Sequence, residues 1–341
     1  MGFIGEAHMA MQFNSDNVAR VHPKVWAAMQ AADSPDKGYD GDALSQRLDA
    51  VFSDLFGRPA AVLWTATGTS ANCLALGPLV QPHGGVVCHR EAHIETDECG
   101  APGFYLHGAK LMLAEGAGAK LTPNSIEAVL ATVKREIHQV PAQAISVTQA
   151  TEYGLVYRPE ELAAIGALAK ERGLGLHLDG ARFANAVAFL GCPAAQAAGP
   201  VDVVCFGGTK NGGMDADAVV FFDPEHADHA RWRRKRAGHL QSKGRFLAAQ
   251  LLALVEGDLW LTNARAANLA AQEIAAAAKE RLMHPVEANE VFLIASRAER
   301  ESLRAQGFAF YDWDEHSARL VASWDTLPEH ATALGKAIAA L

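Results

Sequence analysis

Phe206-Gly207-Gly208-Thr209-Lys210-Asn211-Gly212-Gly213 sets one lysine between two glycine pairs, directly after the apolar run that starts at Val203. A lysine amine condenses with aldehydes, and its proton affinity falls readily on burial. The glycines let a bulky group approach the backbone. The plainer alternative is a solvated loop lysine whose stem lies on apolar surface. A second stretch, His177-Leu178-Asp179-Gly180-Ala181-Arg182, closes another apolar run. Leu174, Leu176 and Leu178 share one strand face there, and His177 and Asp179 share the other. An aspartate at a strand end pairs with a cationic ring nitrogen, and an arginine three residues on holds a second anionic oxygen. Helix capping by Asp179 is the open alternative. A third stretch, Thr65-Ala66-Thr67-Gly68-Thr69-Ser70-Ala71-Asn72, joins an apolar strand to a helix. Hydroxyls and backbone N–H groups at a helix start form an anion site suited to phosphate, or simply a cap. No Gly-Lys-Ser/Thr follows, so this is not a Walker loop.

Around these stretches the chain alternates apolar runs with amphipathic ones from about Val51 to Asp223. Strands are expected at 61–65, 86–89, 110–114, 144–148, 174–179, 203–207 and 218–222. Helices are expected at 42–56, 70–80, 123–135, 159–172 and 182–190. Thr122-Pro123 and Arg158-Pro159-Glu160-Glu161 are helix starts, and Arg172-Gly173 is a helix end. Such alternation predicts an α/β fold with a mainly parallel central sheet covered on both faces. All three motif stretches then lie at carboxyl ends of strands, where open α/β sheets bind ligands. Beyond Asp223 a basic stretch, Arg231–Arg236, leads into a long helical region reaching about Arg281. A small α+β lobe follows, with strands near 291–295, 308–313 and 319–323 and helices near 301–306 and from 328. The expected division is a large α/β domain, 13–258, and a small C-terminal domain, 259–341.

Composition narrows the function class. The chain has 341 residues, 50% hydrophobic and 20% charged, with net charge −9. It is long enough to bury a sizeable core and is ordinary for a globular protein. No basic surface dominates, so no nucleic-acid partner is expected. No apolar run reaches the ~18 residues of a membrane span, so no membrane partner is expected either. The five cysteines are odd in number and show no Cys-x-x-Cys spacing. They suit unpaired thiols in a reducing cytoplasm. Met1 to Ala10 carries no basic region followed by a long apolar stretch, so no signal peptide is expected, and the Met-Gly start reads as a ragged end rather than a myristoylation site. The stretch His89-Arg90-Glu91-Ala92-His93-Ile94-Glu95-Thr96-Asp97-Glu98 is dense in metal-ligand types. It departs from His-Glu-x-x-His, and no metal is expected. His93 is better placed against a ring, where imidazole both stacks and exchanges protons near neutral pH.

A phosphate cradle, a ring-nitrogen carboxylate and an aldehyde-condensing lysine together are what pyridoxal 5′-phosphate requires. Their order along the chain resembles the aspartate-aminotransferase-like fold type I enzymes. More closely, the chain resembles the low-specificity L-threonine aldolases of the beta-eliminating lyase group. The resemblance runs from Phe13-Asn14-Ser15-Asp16-Asn17 through Thr67-Gly68-Thr69, Ala92-His93-Ile94, the Asp179–Arg182 and Thr209–Gly212 motifs and Lys235-Arg236-Ala237-Gly238 to Arg319-Leu320-Val321. It implies that Lys210 binds the cofactor's aldehyde, Asp179 its pyridine nitrogen, Arg182 its ring hydroxyl oxygen, and Gly68 and Thr69 its phosphate. His93 would stack on the ring. Ser15 and Arg319 would hold the substrate carboxylate. Arg245 would reach phosphate or carboxylate, across a subunit boundary. His138 would stand near the substrate hydroxyl. With Lys210, His93 and His138 are the expected catalytic residues. The family also implies a cytoplasmic homotetramer, a dimer of dimers. One departure stands out. Where many members carry Glu-Asn-Thr-His-Asn, this chain has Gln149-Ala150-Thr151-Glu152-Tyr153.

The expected reaction is retro-aldol cleavage of a small β-hydroxy-α-amino acid, L-threonine or L-allo-threonine, to glycine and acetaldehyde, with little stereospecificity at Cβ. The alternative is a phenylserine aldolase or another pyridoxal-phosphate β-eliminating lyase, with Trp64, Tyr39 and Tyr153 shaping a wider pocket. A nicotinamide enzyme would need an early Gly-x-Gly-x-x-Gly, which is absent. A binding protein without turnover does not account for the lysine, the aspartate and the carboxylate clamp together.

Overall fold

Seven apolar runs pair into one twisted sheet in the order Ala61–Thr65, Asp217–Phe221, Val203–Phe206, Gly175–Gly180, Ala142–Thr148, Gly85–His89, Lys110–Ala114. Six of these strands run in one direction, and Asp217–Phe221 runs antiparallel to both its neighbours. Most residues of the central strands Ala142–Thr148, Gly175–Gly180 and Val203–Phe206 are buried, as covering on both faces demands. The computed structural model describes residues 11–134 and 136–341; Met1–Ala10, with its expected lack of a leader, and Arg135 lie outside the described residues.

Local signals fix the helices that flank the sheet. Pro159–Arg172 has the expected bounds. Pro159 supplies its first turn, Glu161 accepts the backbone N–H of Arg158 at 2.6 Å, and Gly173 ends it at φ 67°. Pro123–Leu130 starts at the Thr122 cap but ends before the expected 135. The expected long helix up to Arg281 is three: Pro224–Arg236, Arg245–Val255 and Leu259–Ala278. The breaks fall at Gly238 and Gly257, both at φ 79°. Residues with φ in that range leave the α-helix, and only glycine does so without steric cost.

Two hydrophobic cores form. The larger surrounds the sheet and includes Phe52, Phe56, Trp64, Phe183, Phe206 and Trp260. The rings of Phe183 and Trp260 are nearly parallel, their centroids 6.4 Å apart. The smaller holds Phe13, Ile274, Val291, Leu303, Phe308 and Leu320. Helix Leu259–Ala278 serves both, with Trp260 and Ala264 in the first and Ala271 and Ile274 in the second. Strands Glu290–Ile294 and Ser317–Val321 form the antiparallel centre of the small lobe. The N-terminal end joins that lobe too: Met11–Gln12 pairs in parallel with Phe308–Ala309, and Phe13 accepts the N–H of Val321 at 2.9 Å. Among the described residues no helix is long and apolar enough to cross a membrane.

Candidate active site

The carboxyl ends of the parallel strands bring the three motif stretches to one cavity. It has a volume of about 270 Å³, and Asn17, Gly68, Thr69, His93, Asp179 and Lys210 line it. Lys210 sits in the single turn Thr209–Asn211, just past strand Val203–Phe206. Asp217 anchors that turn by accepting the N–H groups of Gly208 at 2.8 Å and Thr209 at 3.2 Å. Asn211 donates to the Trp260 carbonyl at 2.9 Å and accepts Asn263 at 2.8 Å. Gly207 is required by contact, since a Cβ there would lie 2.4 Å from the Ala181 carbonyl oxygen. Burial pushes the Lys210 amine below its ordinary value, and the Arg182 cation adds to this, against Asp16, Asp179 and Glu290. A lysine so placed is primed to react as a free amine.

Asp179 ends strand Gly175–Gly180 and is 4% exposed. It accepts Asn72 Nδ2 at 2.9 Å and the Ala181 N–H at 3.0 Å. Burial pushes its carboxyl up, but His93, His177 and these donors outweigh it, so Asp179 is held below the usual carboxylate range. His177 lies behind it, bridged to Ser146 Oγ at 2.9 Å and Cys205 Sγ at 3.3 Å, and burial keeps it neutral. Gly68 and Thr69 open helix Gly68–Leu76, whose cap is the Thr67 hydroxyl accepting the Ser70 N–H. Their backbone thus faces the cavity at the positive end of the helix.

His93 begins the short helix His93–Thr96. Its Nδ1 lies 3.0 Å from Glu98 Oε1, and its backbone N–H donates to Glu152 Oε1 at 3.0 Å. The Glu98 contact raises the His93 pKa most strongly, against burial and with help from Asp179. Asn72 Nδ2 also donates to Glu98 Oε1 at 2.8 Å. Burial lifts Glu98, and it lifts Glu152 to about 7 despite the Thr148 hydroxyl 2.7 Å away.

A charged cluster borders the cavity. Arg182 binds Asp16 at two points and has Glu290 Oε1 3.5 Å from Nη1. Arg319 Nη1 is 3.9 Å from the same Glu290 oxygen, and its guanidinium lies 5.5 Å from the Trp313 ring centre. Ser15 caps the turn Asp16–Val18, accepting the N–H of Asn17.

Two expected site residues stand elsewhere in the chain. His138 precedes strand Ala142–Thr148, so it lies at the amino ends of the parallel strands, opposite the cavity. It lines a surface groove with His83, Lys134 and Arg172, and this corrects its expected place near a substrate hydroxyl. Arg245 heads helix Arg245–Val255 and donates Nε to the Ala32 carbonyl at 2.9 Å, away from its own chain's cavity. Trp64 and Tyr153 of the aromatic trio do not share one pocket. Trp64 is buried in the main core under Arg234, and Tyr153 packs on His284, Phe292 and Trp313. Sequence reasoning missed Asn72, Glu98, Glu152, Asp217 and Glu290 as site residues. Asn72 lies one helical turn beyond Gly68 and so on the same helix face, and Glu152 stands in the loop that departs from the family pattern.

Comparison with known proteins agrees with this geometry. The family model for beta-eliminating lyases matches residues 12–298. A low specificity L-threonine aldolase of Pseudomonas aeruginosa is 45% identical over 335 residues, with 96% of each chain covered. The structure of a Leishmania major threonine aldolase superposes with a TM-score of 0.91 at 28% identity, over 96% of this chain and 98% of that one. An aspartate aminotransferase from Rhodobacter sphaeroides, at 15% identity and TM-score 0.71, covering 97% of this chain and 92% of its own, shares the fold. The expected fold type I architecture is therefore present.

Proposed function

We propose the chemistry from one premise: this chain belongs to the beta-eliminating lyase family and stands among its threonine aldolases. The reaction is retro-aldol cleavage of L-threonine or L-allo-threonine to glycine and acetaldehyde. The observation that carries it is Lys210 held in one cavity with Asp179 and the start of helix Gly68–Leu76.

These residues fit pyridoxal 5′-phosphate by their donor chemistry. Gly68 and Thr69 offer a helix start to the phosphate, and Asp179, kept ionised, suits a protonated ring nitrogen. When bound, the cofactor supplies an aldehyde for amines and a ring that accepts the electron pair of a breaking Cα bond. Lys210 would hold it through its amine, Asp179 would keep the ring nitrogen protonated, and Arg182, fixed by Asp16, would bind the ring hydroxyl oxygen. Ser15 and Arg319 bind the substrate carboxylate and so orient the Cα–Cβ bond. His93 stacks beside the ring and takes the proton from the β-hydroxyl, and the C–O bond becomes the carbonyl of the leaving aldehyde. A proton returned to Cα completes glycine.

The same proposal covers the assembly. Arg245, turned from its own cavity, reaches the phosphate or carboxylate of a second copy in a homo-oligomer, a dimer of dimers. The unpaired thiols suit a cytoplasmic location. The experiment is aldehyde release from L-threonine, L-allo-threonine and L-phenylserine, with and without pyridoxal phosphate. Cofactor-dependent acetaldehyde is expected. Ammonia in place of aldehyde would overturn the reading in favour of β-elimination.

A further inference from the structure

The acids behind His93 have no part in the reaction so far, yet they are the most constrained side chains near it. Glu98 is 4% exposed, and its Oε1 receives two contacts, Asn72 Nδ2 at 2.8 Å and His93 Nδ1 at 3.0 Å. Its Oε2 is buried with no partner among the described residues. Asn72, 2% exposed, gives the N–H groups of the same Nδ2 to Glu98 and to Asp179, 107 positions away. One line of contacts therefore runs His93–Glu98–Asn72–Asp179.

With Glu98 ionised, the line fixes the direction of every proton in it. Amide N–H groups only donate, so Glu98 Oε1 and Asp179 Oδ2 are acceptors. The Glu98 carboxylate carries no proton to give, so Oε1 also accepts from His93, and the hydrogen of the neutral imidazole sits on Nδ1. The tautomer of a histidine follows from the bond its other nitrogen makes. Nε2 is left with its lone pair, on a ring that lines the cavity. Glu152 secures the same residue from its backbone side.

We propose that Glu98, locked by Asn72, is the positioning residue that keeps His93 a proton acceptor at Nε2 and ties it to Asp179. The proposal rests on the reading of His93 as the group that takes the hydroxyl proton. The charged and titratable groups facing His93 are Glu98, Asp179, Lys210 and Glu152. Of these only Glu98 touches the ring.

The test uses the holoenzyme labelled with ¹⁵N-histidine, with a His93→Asn variant to identify the His93 signals. Wild type is expected to show the Nδ1–H form when neutral. Glu98→Gln keeps an acceptor oxygen against Asn72 and His93 but loses the charge. It should retain the Nδ1–H form and titrate about one pH unit lower, with the acidic limb of kcat/KM moving down equally and KM within about threefold. Glu98→Ala should lose the Nδ1–H preference. An unchanged tautomer in Glu98→Ala, or an unmoved titration in Glu98→Gln, overturns the proposal. If the alanine variant does not fold, the near-isosteric glutamine variant decides. If wild type releases no aldehyde, the aldolase reading fails, while the nitrogen spectra still decide the role of Glu98.

Discussion

Arg182 and Asp16, 166 positions apart, meet in a two-point ion pair, Nε to Oδ2 at 2.8 Å and Nη2 to Oδ1 at 3.0 Å. The aspartate is 2% exposed, and Asn289 donates to it at 3.0 Å as well. Burial raises the Asp16 carboxyl, but Arg182, Lys210 and Asn289 together hold it below its ordinary value. Removing one partner of such a pair leaves a buried charge uncompensated, at about 3–5 kcal/mol. Asp16→Ala should therefore lose roughly that much in denaturant unfolding at pH 7. A carboxyl with a depressed folded pKa stabilises above its unfolded pKa and loses the effect as pH falls through the folded one. The gap between variant and wild type should accordingly narrow below about pH 4. A gap independent of pH would show that Asp16 acts through packing alone.

Lys210→Ala should reduce aldehyde release by more than ~10³-fold, because among the described residues no other amine lines the cavity to anchor the aldehyde. The chain should fold normally, since Lys210 is a desolvated cation that burial already disfavours. Thermal unfolding of the cofactor-free variant checks this, with Tm expected at or above wild type. Normal turnover would remove Lys210 from the mechanism.

Glu152 gives a pH signature of opposite sign. Burial lifts it from 4.5 to about 7. The folded chain then keeps a proton that the unfolded chain releases, so stability falls as pH rises between those values, by roughly 3 kcal/mol. Glutamine does not titrate. The stability of Glu152→Gln relative to wild type should climb from pH 5 to pH 8 in urea unfolding. Parallel pH curves would mean that Glu152 stays ionised in the fold.

Gly207→Ala tests the support of the lysine turn. Its new methyl would meet the Ala181 carbonyl oxygen at 2.4 Å and its carbon at 2.8 Å. Both neighbours are backbone, so the turn and the end of strand Gly175–Gly180 must separate. Overpacking of this kind costs ~1–3 kcal/mol. A lower Tm together with weaker retention of cofactor on dialysis is the expected result; a lower Tm alone would uncouple the turn from the cofactor.

The sheet was legible because its signals are local. Val203–Phe206 and Ala61–Thr65 are apolar runs bounded by glycine, proline or hydroxyl residues, and Pro159 and Gly173 mark both ends of one helix. The placement of Lys210 and Asp179 in one cavity was legible because each stands in a short motif at a strand end. Glu98 and Glu152 were not. In sequence Glu98 is one of several acids in the 89–98 stretch and Glu152 only marks a departure from the family pattern; what brings them to the site is burial against Asn72 and His93 from other strand ends. His138 misled for the same reason: a histidine near a strand reveals its type but not which end of the strand it occupies. The long helix beyond Arg231 was overextended because Gly238 and Gly257 break it through positive φ, which composition does not display.

The short pairing of Met11–Gln12 with Phe308–Ala309 bears on how the protein is made. On the ribosome, Ser15 and Asp16 emerge about 300 residues before Arg319. The seven-stranded sheet is complete in sequence at Phe221, and its core is complete once helix Arg245–Val255 and Trp260 follow. The N-terminal segment must wait for Phe308–Ala309 and Val321 before its strand and Phe13 have anything to dock on. A chain truncated before Phe308 would carry Lys210 and Asp179 on a formed sheet, yet without Arg319 and without the seat of Ser15. Arg319 is thus the last of these side chains to be translated, and the proposed carboxylate clamp of Ser15 and Arg319 cannot form until well after Lys210 and Asp179 have emerged.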